Sequence, residues 1–122
     1  LGRPAVVVHT LGTRRDFGAR QAFVTNLLAA GGISAVQEGA KVAILASSRA
    51  GYAEHGASAI EALRAAGVDT VLVAGRASEL GDSAGAVDGE VHDGIDVVAF
   101  LSDVLDRLTP PRDAGTTTEG SR

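Results

Sequence analysis

One doubly wound α/β domain is the fold class this sequence predicts, on three observations. Short continuous apolar runs rich in β-branched residues recur at Ala5 to Thr10, Lys41 to Ala46 and Asp69 to Ala74, the pattern of strands covered on both faces. Stretches with apolar residues at helical spacing alternate with them. The chain has 122 residues, the size of a single core. Strand alternating with helix calls for a parallel sheet, right-handed crossovers and helices on both faces.

The elements follow in order. The run Ala5-Val6-Val7-Val8-His9-Thr10 forms the first strand. After Leu11-Gly12-Thr13-Arg14-Arg15, Asp16 is placed to cap a helix carrying Ala19, Phe23, Leu27 and Ala30 on one stripe, which Gly31-Gly32 stops. Ile33 to Val36 reads as an edge strand. Lys41 to Ala46 forms the next buried strand, Ser47-Ser48 open the following helix with Ala53, Gly56, Ala57, Ile60 and Leu63 on one side, and Gly67 closes it. Asp69 to Ala74 ends in Gly75; Arg76 to Gly94 is rich in Gly, Asp and Ser, with room for a short strand. Asp96 caps a last helix with Val97, Val98, Leu101, Val104, Leu105 and Leu108 on its stripe, ended by Pro110-Pro111. Residues 1–108 thus form a flavodoxin-like domain, and 109–122 a polar tail expected to be disordered. One connection is too short. Seven residues, Ser34 to Ala40, separate Ile33 from Lys41, where a parallel crossover needs ten or more. Either the edge strand is paired unusually or a natural helix has been omitted; the spacing favours omission.

Composition excludes several functions. The net charge is −4 and the eleven basic residues are scattered, so nucleic acid is not an expected partner. The longest apolar runs, such as Val68 to Ala74, are too short to cross a bilayer, so no membrane association is expected. With 3% aromatic residues and no tryptophan, platforms for stacking bases or a flavin are hard to assemble. No secretory leader pattern and no cysteine occur, which points to the cytoplasm. The absence of methionine, with leucine at position 1, points to a piece of a longer polypeptide.

In an open parallel sheet, ligands bind beyond the carboxyl ends of the strands, which selects the loops Gly12 to Gly18, Ser47 to Gly51 and Gly75 to Leu80. The first sets Arg14 and Arg15 at a helix N-terminus, an arrangement that attracts an anion or merely serves the turn. Neither the dinucleotide fingerprint nor the Walker motif follows the first strand. Ser47 and Thr10-Leu11 stand where a phospho-accepting receiver has its acids. His9, His55 and His92 lie on different elements without ligand-like spacing, and the cluster Asp82, Asp88, Glu90 and Asp93 reads as a solvated loop before a cation site. Ser47 or Ser48 with His55 lacks the strained elbow of a hydrolase.

The run Val8-His9-Thr10-Leu11-Gly12, then Asp16-Phe17-Gly18-Ala19-Arg20 and Phe23 through Ile33, resembles the C-terminal domain of the methylmalonyl-CoA mutase small (beta) subunit. Ala43 to Ser48, Tyr52-Ala53-Glu54, Leu63 to Val68, Val73-Ala74-Gly75 and Asp96-Val97-Val98 keep the same order, so the likeness runs from about Arg3 to Leu108. It implies a cobalamin-binding-like fold in a subunit that pairs with a large catalytic subunit, the complex interconverting methylmalonyl-CoA and succinyl-CoA with adenosylcobalamin in the partner. Cobalamin-binding members carry Asp-x-His-x-x-Gly after the first strand. On that motif Gly18 matches the glycine, Arg15 stands for the histidine and Thr13 for the aspartate. A guanidinium has no lone pair for cobalt. The Ser-x-Leu motif survives only as Ser47-Ser48-Arg49 and the later Gly-Gly as Ala74-Gly75. The resemblance therefore implies a domain without catalytic residues or metal site whose cofactor binding has been lost. The alternative is a module that holds cobalamin or an anion without the axial histidine.

Overall fold

A computed structural model of the chain describes residues 4–92 and 94–108. The expected tail and its Pro110-Pro111 stop lie outside the described residues. Strands β1 (Ala5–Thr10), β2 (Ser34–Val36), β3 (Val42–Ala46), β4 (Thr70–Ala74) and β5 (Gly89–Val91) form one sheet in the order β2-β1-β3-β4-β5. Every pairing is parallel. The flavodoxin-like expectation is borne out.

Helices α1 (Arg14–Ala30) and α3 (Val97–Leu108) cover one face and α2 (Arg49–Ala65) the other. On the α1 side Val6, Ile44, Leu72 and Val91 meet Val24, Leu27, Leu28 and Val104. On the α2 side Val7, Leu45, Val71 and Val73 meet Tyr52, Ile60 and Leu63. Every residue of β3 and β4 is buried, as their unbroken apolar runs require. Between β4 and β5 stand two short 3₁₀ turns, Ala77–Ala86, hinged at Gly81 with φ 61°, and Leu80 closes the α2-side core over them.

Several local expectations shift. The residue capping α1 is Thr13, not Asp16; Asp16 lies in the first turn and its carboxylate accepts the Thr13 N–H. The buried stripe of α1 is Val24, Leu27 and Leu28 with Phe23 at its edge, while Ala19 and Ala30 are exposed. On α2, Ala53 and Ala57 face outward and Tyr52 and Ala59 take their places. An alanine-rich helix gives its stripe little contrast, so its phase is set by the bulkiest apolar side chains. Asp96 does cap α3, its Oδ1 accepting the Ala99 N–H at 3.0 Å. Val98 is nevertheless 75% exposed.

The fold accommodates the short connection, and its edge strand pairs normally. β2 hydrogen-bonds to β1 in ordinary parallel register, so unusual pairing is excluded. Val36 and Ala43 both stand opposite Val7. Because β3 begins level with the end of β2, residues 37–41 need not return along the sheet. They need only cross β1, about 10 Å for two strand spacings, which five residues span. No described helix is long and apolar enough to cross a membrane.

Candidate functional site

The three loops at the carboxyl ends of the strands meet at one point. In the first, Gly12 has φ 81° and its backbone approaches Asp16 so closely that a Cβ would lie 2.6 Å from Oδ2. That approach lets Asp16 accept from the Thr13 N–H at 2.9 Å, the Thr13 hydroxyl at 3.0 Å and, through its other oxygen, the Ser48 hydroxyl at 3.0 Å. These donors, the Thr13 N–H foremost, hold the Asp16 carboxyl below the usual carboxylate range. Ser48 in turn caps α2, its oxygen accepting the Gly51 N–H at 3.1 Å. The first and second loops are thus pinned together.

Ser47 is fully buried, and its hydroxyl donates to the Leu11 carbonyl at 2.8 Å. A hydroxyl committed to a backbone oxygen and closed to solvent is no nucleophile. Its backbone N–H donates to the Tyr52 hydroxyl at 3.1 Å, and that hydroxyl lies 2.5 Å from the Ala74 carbonyl and 3.1 Å from the Leu45 carbonyl. Tyr52 therefore ties the ends of β3 and β4, and burial pushes its phenol pKa up.

Arg20, on α1, joins the second loop to the third. Its Nη1 donates to the Ser47 carbonyl at 2.9 Å and to Glu79 Oε1 at 2.8 Å, and its Nη2 to Glu79 Oε2 at 3.2 Å. The guanidinium carbon lies 5.6 Å from the Tyr52 ring centre. Gly75, with φ 115°, forms the floor: a Cβ there would meet Arg20 Nη1 and Glu79 Oε2, each at 2.8 Å. The Glu79 side chain is 6% exposed and that of Arg20 34%. Burial pushes the Glu79 carboxyl up, but the bonds from Arg20 and the Arg76 N–H outweigh it and leave the pKa lowered. Behind the pair lies a half-open cavity of about 320 Å³ between Ala19, Phe23, Gly75, Val91 and His92.

A lowered carboxyl pKa makes the folded state sensitive to acid. The contribution of the pair is complete above the ordinary glutamate value of 4.5 and is lost as pH falls through the lower folded value. Glu79→Gln is expected to unfold at lower temperature than the parent at pH 7. The gap in melting temperature is expected to close toward pH 3, and a gap independent of pH would show that Glu79 acts by shape alone.

Of the positions matched to the cobalamin motifs, Ser47 and Gly75 are brought together by Arg20. Thr13 joins them only indirectly, through Asp16 and Ser48. Arg15, like Arg14, is exposed, and a Cβ on Gly18 would make only ordinary contact with Arg14, at 3.6 Å. The expected acidic cluster disperses: Asp88 accepts the Val71 N–H and pairs with Arg64, and Glu90 accepts the Ala77 N–H. Asp93 lies outside the described residues. Among those described, no three His, Cys, Asp or Glu residues are grouped to hold a metal. Sequence reasoning missed Arg20 and Glu79. The one available signal was a lone arginine between Phe17 and Phe23 on the inward side of α1, and nothing in the spacing tied it to a residue 59 positions away.

No protein-family model matches the chain. A methylmalonyl-CoA mutase small subunit from Propionibacterium freudenreichii subsp. shermanii is 38% identical over 125 residues, covering 87% of this chain and 20% of the relative. One from Streptomyces virginiae is 36% identical over 122 residues, covering 87% of this chain and 19% of the relative. The chain thus spans about a fifth of the length of the curated relatives it matches.

Proposed function

We propose, on the premise that this chain is homologous to one segment of methylmalonyl-CoA mutase small subunits, that it is a non-catalytic structural and interaction domain. Its partner is the large catalytic subunit of a mutase that interconverts methylmalonyl-CoA and succinyl-CoA, with adenosylcobalamin held in that partner. The observation that carries this reading is the Arg20–Glu79 pair, which lies against Gly75 and the Ser47 carbonyl, where the second and third cobalamin signatures map. Other features support it. The position of the axial histidine holds an exposed guanidinium, Arg15, and the hydroxyl of Ser47 is turned inward to Leu11. These residues do not fit a cobalamin with its lower base displaced.

The test is an absorbance titration with cobalamin followed by gel filtration. The expected result is no coloured cofactor travelling with the protein at tens of micromolar, binding weaker than about −6 kcal/mol. Retention with the nucleotide base still on cobalt would replace this reading with that of a binding module. Retention with the base displaced would mean that an imidazole, such as that of His92 at the cavity, ligates the metal.

A further inference from the structure

Among the described basic residues, Arg20, Arg64, Arg76 and Arg107 are paired with Glu79, Asp88, Glu90 and Asp103 in turn. Arg14, Arg15, Arg49 and Lys41 have no acid partner among the described residues, and all four are exposed. Lys41 stands alone, just before β3 at the amino end of the sheet. The three arginines gather at the carboxyl end. Arg14 and Arg15 open α1, Arg49 opens α2, and the 3.0 Å bond from the Ser48 hydroxyl to Asp16 holds those two openings side by side. No described acid at this end meets them. Asp16 is spent on Thr13 and Ser48, and Glu79 on Arg20. Exposed Asp82, which shares an open groove with Arg49, lies beyond ion-pair distance of it.

Folding does not account for this placement. The first turn of a helix carries the positive end of the peptide dipoles, so acids stabilise it and cations oppose it. α2 begins on Arg49 with no acid in its first turn, and α1 begins on two arginines with Asp16 as its one acid. A net charge of −4 means that the chain has acids to place there. Three cations at positions the fold disfavours, without counterions of their own, are the kind of local inconsistency that functional surfaces carry. The surface is also preformed. Asp16 and Ser48 lock its two loops to each other, so a partner need not order them. Exposed guanidiniums give a lone small anion no enclosure, whereas several carboxylates on one surface engage them together.

We propose that the rim formed by Arg14, Arg15 and Arg49 is a docking surface for an acidic face of a partner protein, whose Asp and Glu carboxylates meet the three guanidiniums. The test is a titration of the full chain with a peptide of about eight glutamates at low ionic strength, followed through backbone amide shifts. Saturable shifts centred on residues 13–16 and 48–50 are expected, with a Kd on the order of 1 mM, and about 1 M salt is expected to abolish them. Arg15→Glu and Arg49→Glu are each expected to weaken binding by about fivefold, and Lys41→Glu, the same change at the opposite end of the sheet, to leave it within about twofold. Both rim variants put an acid into a first helical turn, so each is expected to melt at or slightly above the parent's temperature. Lost binding with the fold retained thus separates docking from structure. The absence of saturable shifts, or an equal loss of binding in Lys41→Glu, would overturn the proposal. So would a fall in melting temperature in both rim variants, which would make the arginines structural. Equally tight binding by inorganic phosphate or a short oligonucleotide would also overturn it, by removing the preference for a protein partner. The cobalamin titration reads the cleft and this one the rim, so the two outcomes are separable.

Discussion

Tyr52→Phe is expected to destabilise the domain by about 1–3 kcal/mol, a large effect for the loss of one oxygen. The ring would remain in place, so little apolar contact is lost. What disappears is the hydroxyl that accepts the Ser47 N–H and faces the Ala74 and Leu45 carbonyls in the core. A buried N–H without an acceptor carries its full desolvation cost. For a domain of this size each kcal/mol lowers the melting temperature by roughly 4–8 °C, so thermal unfolding will resolve the effect. The pH profile adds a signature. Because the phenol pKa is raised above its ordinary 10.0 in the folded state, the unfolded chain ionises first and the parent loses stability as pH rises past that value. Phenylalanine has no such proton. The two proteins should converge in stability toward alkaline pH; a constant difference would mean that the hydroxyl matters only for packing.

What was legible in the sequence and what was not divide along a physical line. β1, β3 and β4 are apolar on both faces, and continuous runs such as Val42–Ala46 can be nothing but buried strands in this context. Their loops were locatable because the ends of those runs mark the ligand-bearing edge of the sheet. Glycines with positive φ at Gly12 and Gly75 then placed the turns. The phases of α1 and α2 were misread because alanine occupies both their inward and outward faces, so burial there depends on neighbours and not on residue type. The cap of α1 was misplaced because Thr13 and Asp16 are both good capping residues and their reciprocal bond identifies them only as a pair. The contents of the site are a matter of pairs distant in sequence. Arg20 meets Ser47 and Glu79 only because α1, β3 and the turn after β4 converge. The resemblance supplied the frame in which Ser47 and Gly75 belonged together, and although Arg20 stands in the run that carries it, it assigned that arginine no role.

Arg20→Ala is expected to have the largest effect in the loop region, about 2–3 kcal/mol of lost stability at neutral pH. The basis is the asymmetry of a paired charge. Glu79, with its side chain 6% exposed, would keep its carboxylate but lose two hydrogen bonds and its counterion. Removal of one partner from a fully buried pair costs about 3–5 kcal/mol, and the lower figure applies because Arg20 itself is a third exposed and its site is partly wet. Coupling can be isolated with the double variant Arg20→Ala, Glu79→Gln, which removes the stranded charge and is expected to recover about half of the loss. The same variant probes the origin of the site. Truncating Arg20 joins its volume to the adjoining cavity of about 320 Å³ and uncovers the Gly75 backbone and the Ser47 carbonyl. If the arginine is what closes an otherwise intact cleft, the double variant should retain cobalamin with its base on cobalt where the parent does not. If neither protein retains it, the loss lies deeper, in Arg15 and Thr13, and Arg20–Glu79 is a structural clasp that replaced a ligand's role in holding the second and third loops together.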